Sequence, residues 1–245
     1  MIEEDIELRT ADGTADGVLF RPEGRERCPA VLSLTDIGGL RPACRDMGRQ
    51  LAEAGYVVLM PNLFYRTARP SILPFPLNLQ DEATRTRMGE LTSALSPDAV
   101  ERDAAACVNF LAGHPAVSEG SMGVVGYCYA GGVALRMAAA RADRIAAAAS
   151  FHGGRLCTDA PTSPHLLLPC IKARLYFGHA RDDRTMPKEA ILRLDEALSA
   201  WGGRYESETY PAYHSWTVTD SPVYDGAAAA RAFGKLIDLF AQALG

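Results

Sequence analysis

This chain has no long unbroken apolar run, no cluster of basic residues and no paired-cysteine motif. Its most alanine-rich stretch, Val133 to Phe151, is broken by Arg136, Arg141, Asp143 and Arg144, which excludes a plain membrane span. The 25 Lys and Arg against 30 Asp and Glu leave a net charge of −5, which argues against nucleic acid as a partner. The opening residues Met1-Ile2-Glu3-Glu4-Asp5 are acidic, not a basic segment leading into an apolar one. No signal peptide is expected, and the location expected is cytoplasmic. The six cysteines (Cys28, Cys44, Cys107, Cys128, Cys157 and Cys170) form no C-x-x-C pair and have no histidine at zinc-ligand spacing. Neither a disulfide framework nor a metal or other cofactor is expected, and all but Cys128 read as ordinary core or surface thiols.

What is present suits a globular protein with a sizeable core: 245 residues, 48% hydrophobic and 22% charged. No composition break marks a linker and no internal repeat is visible, so one domain over 1–245 is expected, as a monomer or small homo-oligomer. Ile6 and Leu8 alternate with polar residues, and Asp12-Gly13 signals a turn before Gly17 to Phe20, which predicts an antiparallel hairpin. Buried strands are predicted at 29–34, 56–60, about 121–127, 145–151 and 171–177, with a last strand at 205–210. Helices are predicted between them: one ending at Gly55, two at about 81–94 and 97–112, then from the fifth strand to about Arg141, over 187–201 and over 227–244. Residues 62–80 are rich in proline and aromatics (Phe64, Tyr65, Pro74, Phe75, Pro76) and read as a long loop lining a site. Strands alternating with helices predict an α/β fold, a mostly parallel central sheet with helices on both faces.

The most informative segment is Val124-Val125-Gly126-Tyr127-Cys128-Tyr129-Ala130-Gly131-Gly132. An apolar strand runs into a small residue, a nucleophile stands two positions on, and small residues open a helix. That is the layout of a nucleophile elbow, where a sharp strand-to-helix turn lifts one side chain above the end of a sheet. The lifted group here is a thiol. Cysteine is more often a core filler than a nucleophile, but the small-residue frame and a downstream acid and histidine favour the nucleophile.

A thiol attacks as thiolate and therefore needs a base, which in turn needs an orienting group. The loop Gly178 to Pro187 offers the acid. Asp183 is preferred over Asp182 because it stands four residues before Pro187. His214, after the last strand, is the base that satisfies the chain order, with His152 held in reserve because it also follows a strand. The backbone N–H groups of Tyr129 and Ile37 are the expected oxyanion donors. Phe64, Tyr65 and Trp216, with Tyr129, are the expected apolar substrate contacts. Asp36, beside Ile37, is an unusual charge to find near a nucleophile.

At these residues the chain resembles the dienelactone hydrolase family of α/β hydrolases, whose elbow reads G-x-C-x-G-G. The resemblance runs over nearly the whole chain, through Gly126–Gly132, Asp183-Arg-Thr-Met-Pro187, His214-Ser215 followed by an aromatic, and Gln80-Asp81-Glu82. It implies an α/β-hydrolase fold and a Cys128–His214–Asp183 triad that cleaves a small ester or lactone through an acyl-thioenzyme. It also implies that Asp36 holds the resting thiol and that Arg85 binds a substrate carboxylate. A second family arginine is replaced by Val218, and Ala130 stands where the elbow pattern has glycine. Losing one cation leaves a single exposed ion pair against several aromatics, so weak discrimination between anionic and neutral substrates is expected. Any replacement cation would be sought at Arg66, Arg69 or Arg87. The competing readings are a general carboxylesterase or thioesterase for neutral substrates, and a catalytically silent binding protein on the same fold.

Overall fold

In the computed structural model, which describes residues 1–73, 78 and 81–244, the chain opens with a hairpin. Ile2–Thr10 (β1) pairs antiparallel with Gly13–Arg21 (β2). Charged residues crowd β1 and the apolar ones gather in β2, as befits an edge strand covering a more buried neighbour. Ala30–Leu34 (β3), Val57–Pro61 (β4), Met122–Tyr127 (β5), Ile145–Phe151 (β6), Arg174–Ala180 (β7) and Tyr205–Tyr210 (β8) complete one eight-stranded sheet. Its order is β1-β2-β4-β3-β5-β6-β7-β8, parallel from β4 to β8.

The helices are Pro42–Glu53 (α1), Glu82–Ser93 (α2), Pro97–Gly113 (α3), Ala130–Ala140 (α4), Lys188–Trp201 (α5) and Gly226–Leu244 (α6). Ser96 caps α3 by accepting from the Ala99 N–H at 3.2 Å, and Pro97 occupies the first turn, where its missing N–H costs nothing. In α6, Ala228, Ala232, Leu236, Leu239 and Phe240 recur on one face and are buried. Two apolar clusters result, one on each face of the sheet. α1 and α6 build one; α2, α3, α4 and α5 contribute to the other. All five residues of β3 and all six of β5 are buried, which explains their continuous apolar runs.

Two strands differ from expectation. Pro61 ends β4 from inside it. The run expected as a strand from Ile171 starts only at Arg174, because Pro164–Cys170 coils into a 3₁₀ turn whose last bond, Ile171 N–H to Leu168 O at 3.0 Å, holds Ile171 outside the sheet.

The chain leaves β3 toward β4 on one side and returns to β5 on the other. A crevice opens at such a reversal, beyond the carboxyl ends of the strands. Leu34 is paired with Gly126, so Ile37 and Cys128 emerge side by side there.

Candidate active site

Cys128 follows β5 with φ +56°, a left-handed value that few non-glycine residues adopt. The elbow is this tight because its neighbours are small. A Cβ on Gly126 would lie 2.0 Å from the Ala130 carbonyl oxygen, and one on Gly131 would lie 2.2 Å from Ser150 Oγ. Ala130 is fully buried and fits where the family pattern has glycine.

The thiol faces His214. Cys128 Sγ lies 3.0 Å from His214 Nε2, and His214 Nδ1 lies 2.6 Å from Asp183 Oδ2. The other oxygen of Asp183 accepts the Thr185 N–H at 2.8 Å and the Thr185 hydroxyl at 2.7 Å, so the carboxylate cannot swing. Asp182 is exposed and sits at φ +52°. Burial opposes ionisation of Asp183, yet its bond to His214, that ring's charge and the Thr185 donors together hold its pKa below the usual carboxylate value. Burial likewise opposes charge on His214, but the hydrogen bonds and charges of Asp183 and Cys128 outweigh it and push the ring well above the ordinary imidazole value. Both partners act in the same direction. Cys128→Ala is therefore expected to lower the His214 pKa, and Asp183→Asn to lower it further, as followed by the ring Cε1 proton in an NMR titration. An unchanged or raised value in either variant would contradict the coupling.

Ile37, Cys128, Tyr129 and His214 line one cleft of about 460 Å³. The backbone N–H groups of Ile37 and Tyr129 have no hydrogen-bond partner among the described residues. Met88, Leu95, Pro97, Val100 and Val133 give the cleft an apolar part of its lining. Opposite chemistry comes from Arg136 on α4 and Arg155 on the loop after β6. No acidic side chain stands among the described lining residues.

Several expected contacts lie elsewhere. Asp36 binds Arg41 through both oxygens, at 2.5 and 2.8 Å, and accepts the Gly38 N–H; no hydrogen bond or ion pair among the described residues joins it to Cys128. A guanidinium five residues along the same loop has claimed it. Arg41 also binds Asp220, clasping the loop after β3 to the loop after β8. Cys44 lies against this clasp, and burial with the charge of Asp36 pushes its thiol up to about 12. Val218 is buried beside Asp36, outside the cleft. Phe64 is packed in the core, and Tyr65 is held by Thr10 at 2.7 Å and Asp103 at 3.0 Å. Trp216 is wholly buried, stacked on Tyr210 at 4.8 Å behind the His214 loop. None of the three lines the cleft, and neither does Arg85. Arg66 is taken up by Asp12 and Asp103, Arg69 lies 3.4 Å from Asp16, and Arg87 pairs with Glu90. Pro74, Phe75, Pro76 and Gln80 lie outside the described residues.

Arg136 and Arg155 are the residues that sequence reasoning missed. Arg155 follows two glycines just past a strand, and its backbone is anchored by its N–H to Thr185 O at 2.7 Å. Its guanidinium has no hydrogen-bond or ion-pair partner among the described residues. Arg136 is mostly buried, bound to Thr162 O at 2.9 Å and 3.5 Å from Glu101. Among the described residues no group of three or more His, Cys, Asp or Glu side chains is placed to hold a metal ion, and no helix is long and apolar enough to cross a membrane.

A mostly parallel eight-stranded sheet, with a cysteine on a tight strand-to-helix turn after β5 and an aspartate and a histidine on the loops after later strands, has the layout of an α/β hydrolase. The chain belongs to the dienelactone hydrolase family, whose profile matches residues 15–244, and its class is that of carboxylic ester hydrolases. It is 27% identical to a carboxymethylenebutenolidase of Pseudomonas putida over 98% of this chain and 97% of that one. It is 26% identical to carboxymethylenebutenolidase 1 of Cupriavidus pinatubonensis, over 99% and 98%. A dienelactone hydrolase-like promiscuous phosphotriesterase from metagenomic libraries shares the fold, with a TM-score of 0.80, 20% identity and full coverage of both chains.

Proposed function

We propose that the protein hydrolyses small carboxylic esters or lactones through a Cys128–His214–Asp183 triad and an acyl-thioenzyme. The observation that carries this is the unbroken line of contacts from thiol to imidazole to carboxylate, opening on a cleft beside two backbone N–H groups with no partner among the described residues. His214 Nε2 takes the Cys128 proton and Sγ attacks the carbonyl carbon. The oxyanion that forms accepts hydrogen bonds from Ile37 N–H and Tyr129 N–H. The imidazolium, held in register by Asp183, passes its proton to the leaving alkoxide. In a lactone that alkoxide stays tethered as the far end of the acyl group. His214 then deprotonates a water, which attacks the thioester and releases the acid and the thiolate.

The test is a rapid-mix reaction with 4-nitrophenyl acetate. A burst of nitrophenol near one equivalent per chain is expected, with the acetyl group found by mass spectrometry on the peptide carrying Cys128. Acylation mapped to any other residue, or none at all, would overturn the assignment.

The cleft also supports a substrate class. A lining that combines apolar side chains with Arg136 and Arg155, and no carboxylate among its described residues, suits a compact ester or lactone with an apolar body and an anionic group. This reading departs from the expectation of weak discrimination, which weighed one cation at Arg85 against several aromatics. Arg155 is exposed, so its pairing is discounted for solvent; a mostly buried Arg136 beside the same space adds to it. Arg155→Gln is expected to lower kcat/KM for an anionic monoester by about tenfold, equivalent to about 1.4 kcal/mol. The matching neutral methyl ester should change by less than about twofold. The two can be compared as mono(4-nitrophenyl) adipate and its methyl ester, and as 4-carboxyphenyl butyrate and its methyl ester. Equal effects on both members of each pair would return the protein to the neutral-esterase reading.

A further inference from the structure

His152 is fully buried, titratable and absent from the reaction just described, yet it contacts the Cys128 backbone and the His214 ring. It stands one residue past β6 at φ +40°, a strained value for a side chain of this size. Its own N–H is bound to Gly178 O at 2.7 Å, which holds the turn. The turn places the ring beneath the elbow. Nδ1 lies 3.1 Å from the backbone N of Cys128, whose N–H is shared with Phe151 O, also at 3.1 Å. Nε2 lies 2.8 Å from Thr217 Oγ1. The ring meets His214 edge-on at 5.1 Å and Trp216 at 5.0 Å.

These partners decide the proton's place. A backbone N–H can only donate, so Nδ1 must present its lone pair. The single ring proton then sits on Nε2 and is donated to the Thr217 hydroxyl. From this geometry we infer that His152 is a positioning residue: a neutral, Nε2-protonated imidazole that ties the nucleophile's peptide to the loop carrying His214. The inference rests on the triad reading above.

The consequence for catalysis runs through one peptide. The Cys128–Tyr129 peptide carries the N–H expected to meet the oxyanion, and its direction is set by how the Cys128 backbone is held. A donor displaced by a fraction of an ångström loses most of its value in the transition state while leaving ground-state binding alone. The loop side is fixed by the same ring through Thr217, three residues past His214. The charged and titratable groups around the ring are His214, Asp183 and the Cys128 thiol; Tyr127, at 6.1 Å, is the other ionisable ring against it. Burial and the charge of His214 hold His152 well below the ordinary imidazole value, in keeping with a ring that stays neutral while its neighbour cycles.

The test has two arms. In the first, ¹⁵N NMR of the wild-type protein is expected to show the His152 Nδ1 unprotonated and Nε2 protonated from pH 5 to 8, without titration. The opposite tautomer, or a ring that titrates in that range, would overturn the inference whether or not the protein cleaves esters. In the second, His152→Phe keeps a ring but no acceptor, and His152→Asn keeps an acceptor near Nδ1 and tolerates positive φ. Acylation by 4-nitrophenyl acetate in a single turnover is expected to fall about 10- to 100-fold in His152→Phe, with KM little changed. Alkylation of Cys128 by iodoacetamide, which needs no oxyanion donor, should change by less than about threefold. His152→Asn should recover most of the acylation rate and stands alone if the phenylalanine variant fails to fold. Acylation unchanged in the phenylalanine variant, or an asparagine variant in which acylation, alkylation and melting temperature fall together, would show that the ring only fills space.

Discussion

Replacing Cys128 with alanine is expected to remove ester hydrolysis, lowering kcat by roughly 10⁴- to 10⁶-fold, the scale seen when a triad nucleophile is deleted. The fold should survive. The thiol is partly exposed at the floor of an open cleft, so its loss leaves no sealed cavity. Alanine at φ +56° is no more strained than the cysteine already there. A melting temperature within a few degrees of the parent, beside lost turnover, is the expected pair of results. A variant that keeps most of its activity would remove Cys128 from the mechanism.

Cys128→Ser asks a narrower question. Its hydroxyl is far less acidic than a thiol, and oxygen, on a shorter bond to Cβ, reaches less far toward His214 Nε2. Asp183 and Cys128 both raise the ring's affinity for a proton, and this helps it take the proton of an acidic thiol more than that of a hydroxyl. A loss of at least about 10²-fold is expected, on the scale of forfeited base assistance. Parent-like activity would mean that the site works as an ordinary serine esterase and that the thiol confers nothing.

Much of the architecture was legible because it depends on local, repeated patterns. Continuous apolar runs marked β3, β5 and β6, and the hairpin announced itself through alternation and Asp12-Gly13. The elbow was legible for a stronger reason: Gly126 and Gly131 stand where any Cβ would strike backbone or Ser150, so the small residues record a steric demand. Chain order led to His214, and the spacing to Pro187 favoured Asp183 over Asp182. What could not be read was which way a side chain turns. Phe64 and Trp216 have the composition of substrate contacts, yet both point into the core. Asp36 stands beside a proposed oxyanion donor, but a partner five residues away captures it, and no pattern records that Arg41 folds back. Arg155 is the reverse case. A lone arginine after two glycines carries no signal until the turn after β6 brings it to the cleft.

Asp183→Asn is expected to lower turnover by about 10³- to 10⁴-fold, the scale of the tautomer error known for triads of this kind. The local geometry gives the error a cause. Thr185 offers two donors, its N–H at 2.8 Å and its hydroxyl at 2.7 Å, to one oxygen of residue 183. An asparagine keeps its carbonyl oxygen there and turns its NH₂ toward His214. His214 Nδ1 must then accept, so the ring proton moves to Nε2 and points at Cys128 Sγ, where a proton acceptor is needed. The loss of the carboxylate charge also lets burial dominate the ring, and the His214 pKa falls. The drop in kcat should therefore be accompanied by a swapped tautomer in ¹⁵N NMR, while binding of a substrate-sized acid in the cleft persists. Asp182 is exposed and makes no hydrogen bond or ion pair with His214 among the described residues, so Asp182→Asn should change kcat by less than about twofold. A larger loss at 182 than at 183, or an Asp183→Asn variant keeping more than about a tenth of parent turnover, would mean that His214 takes its orientation from some other group.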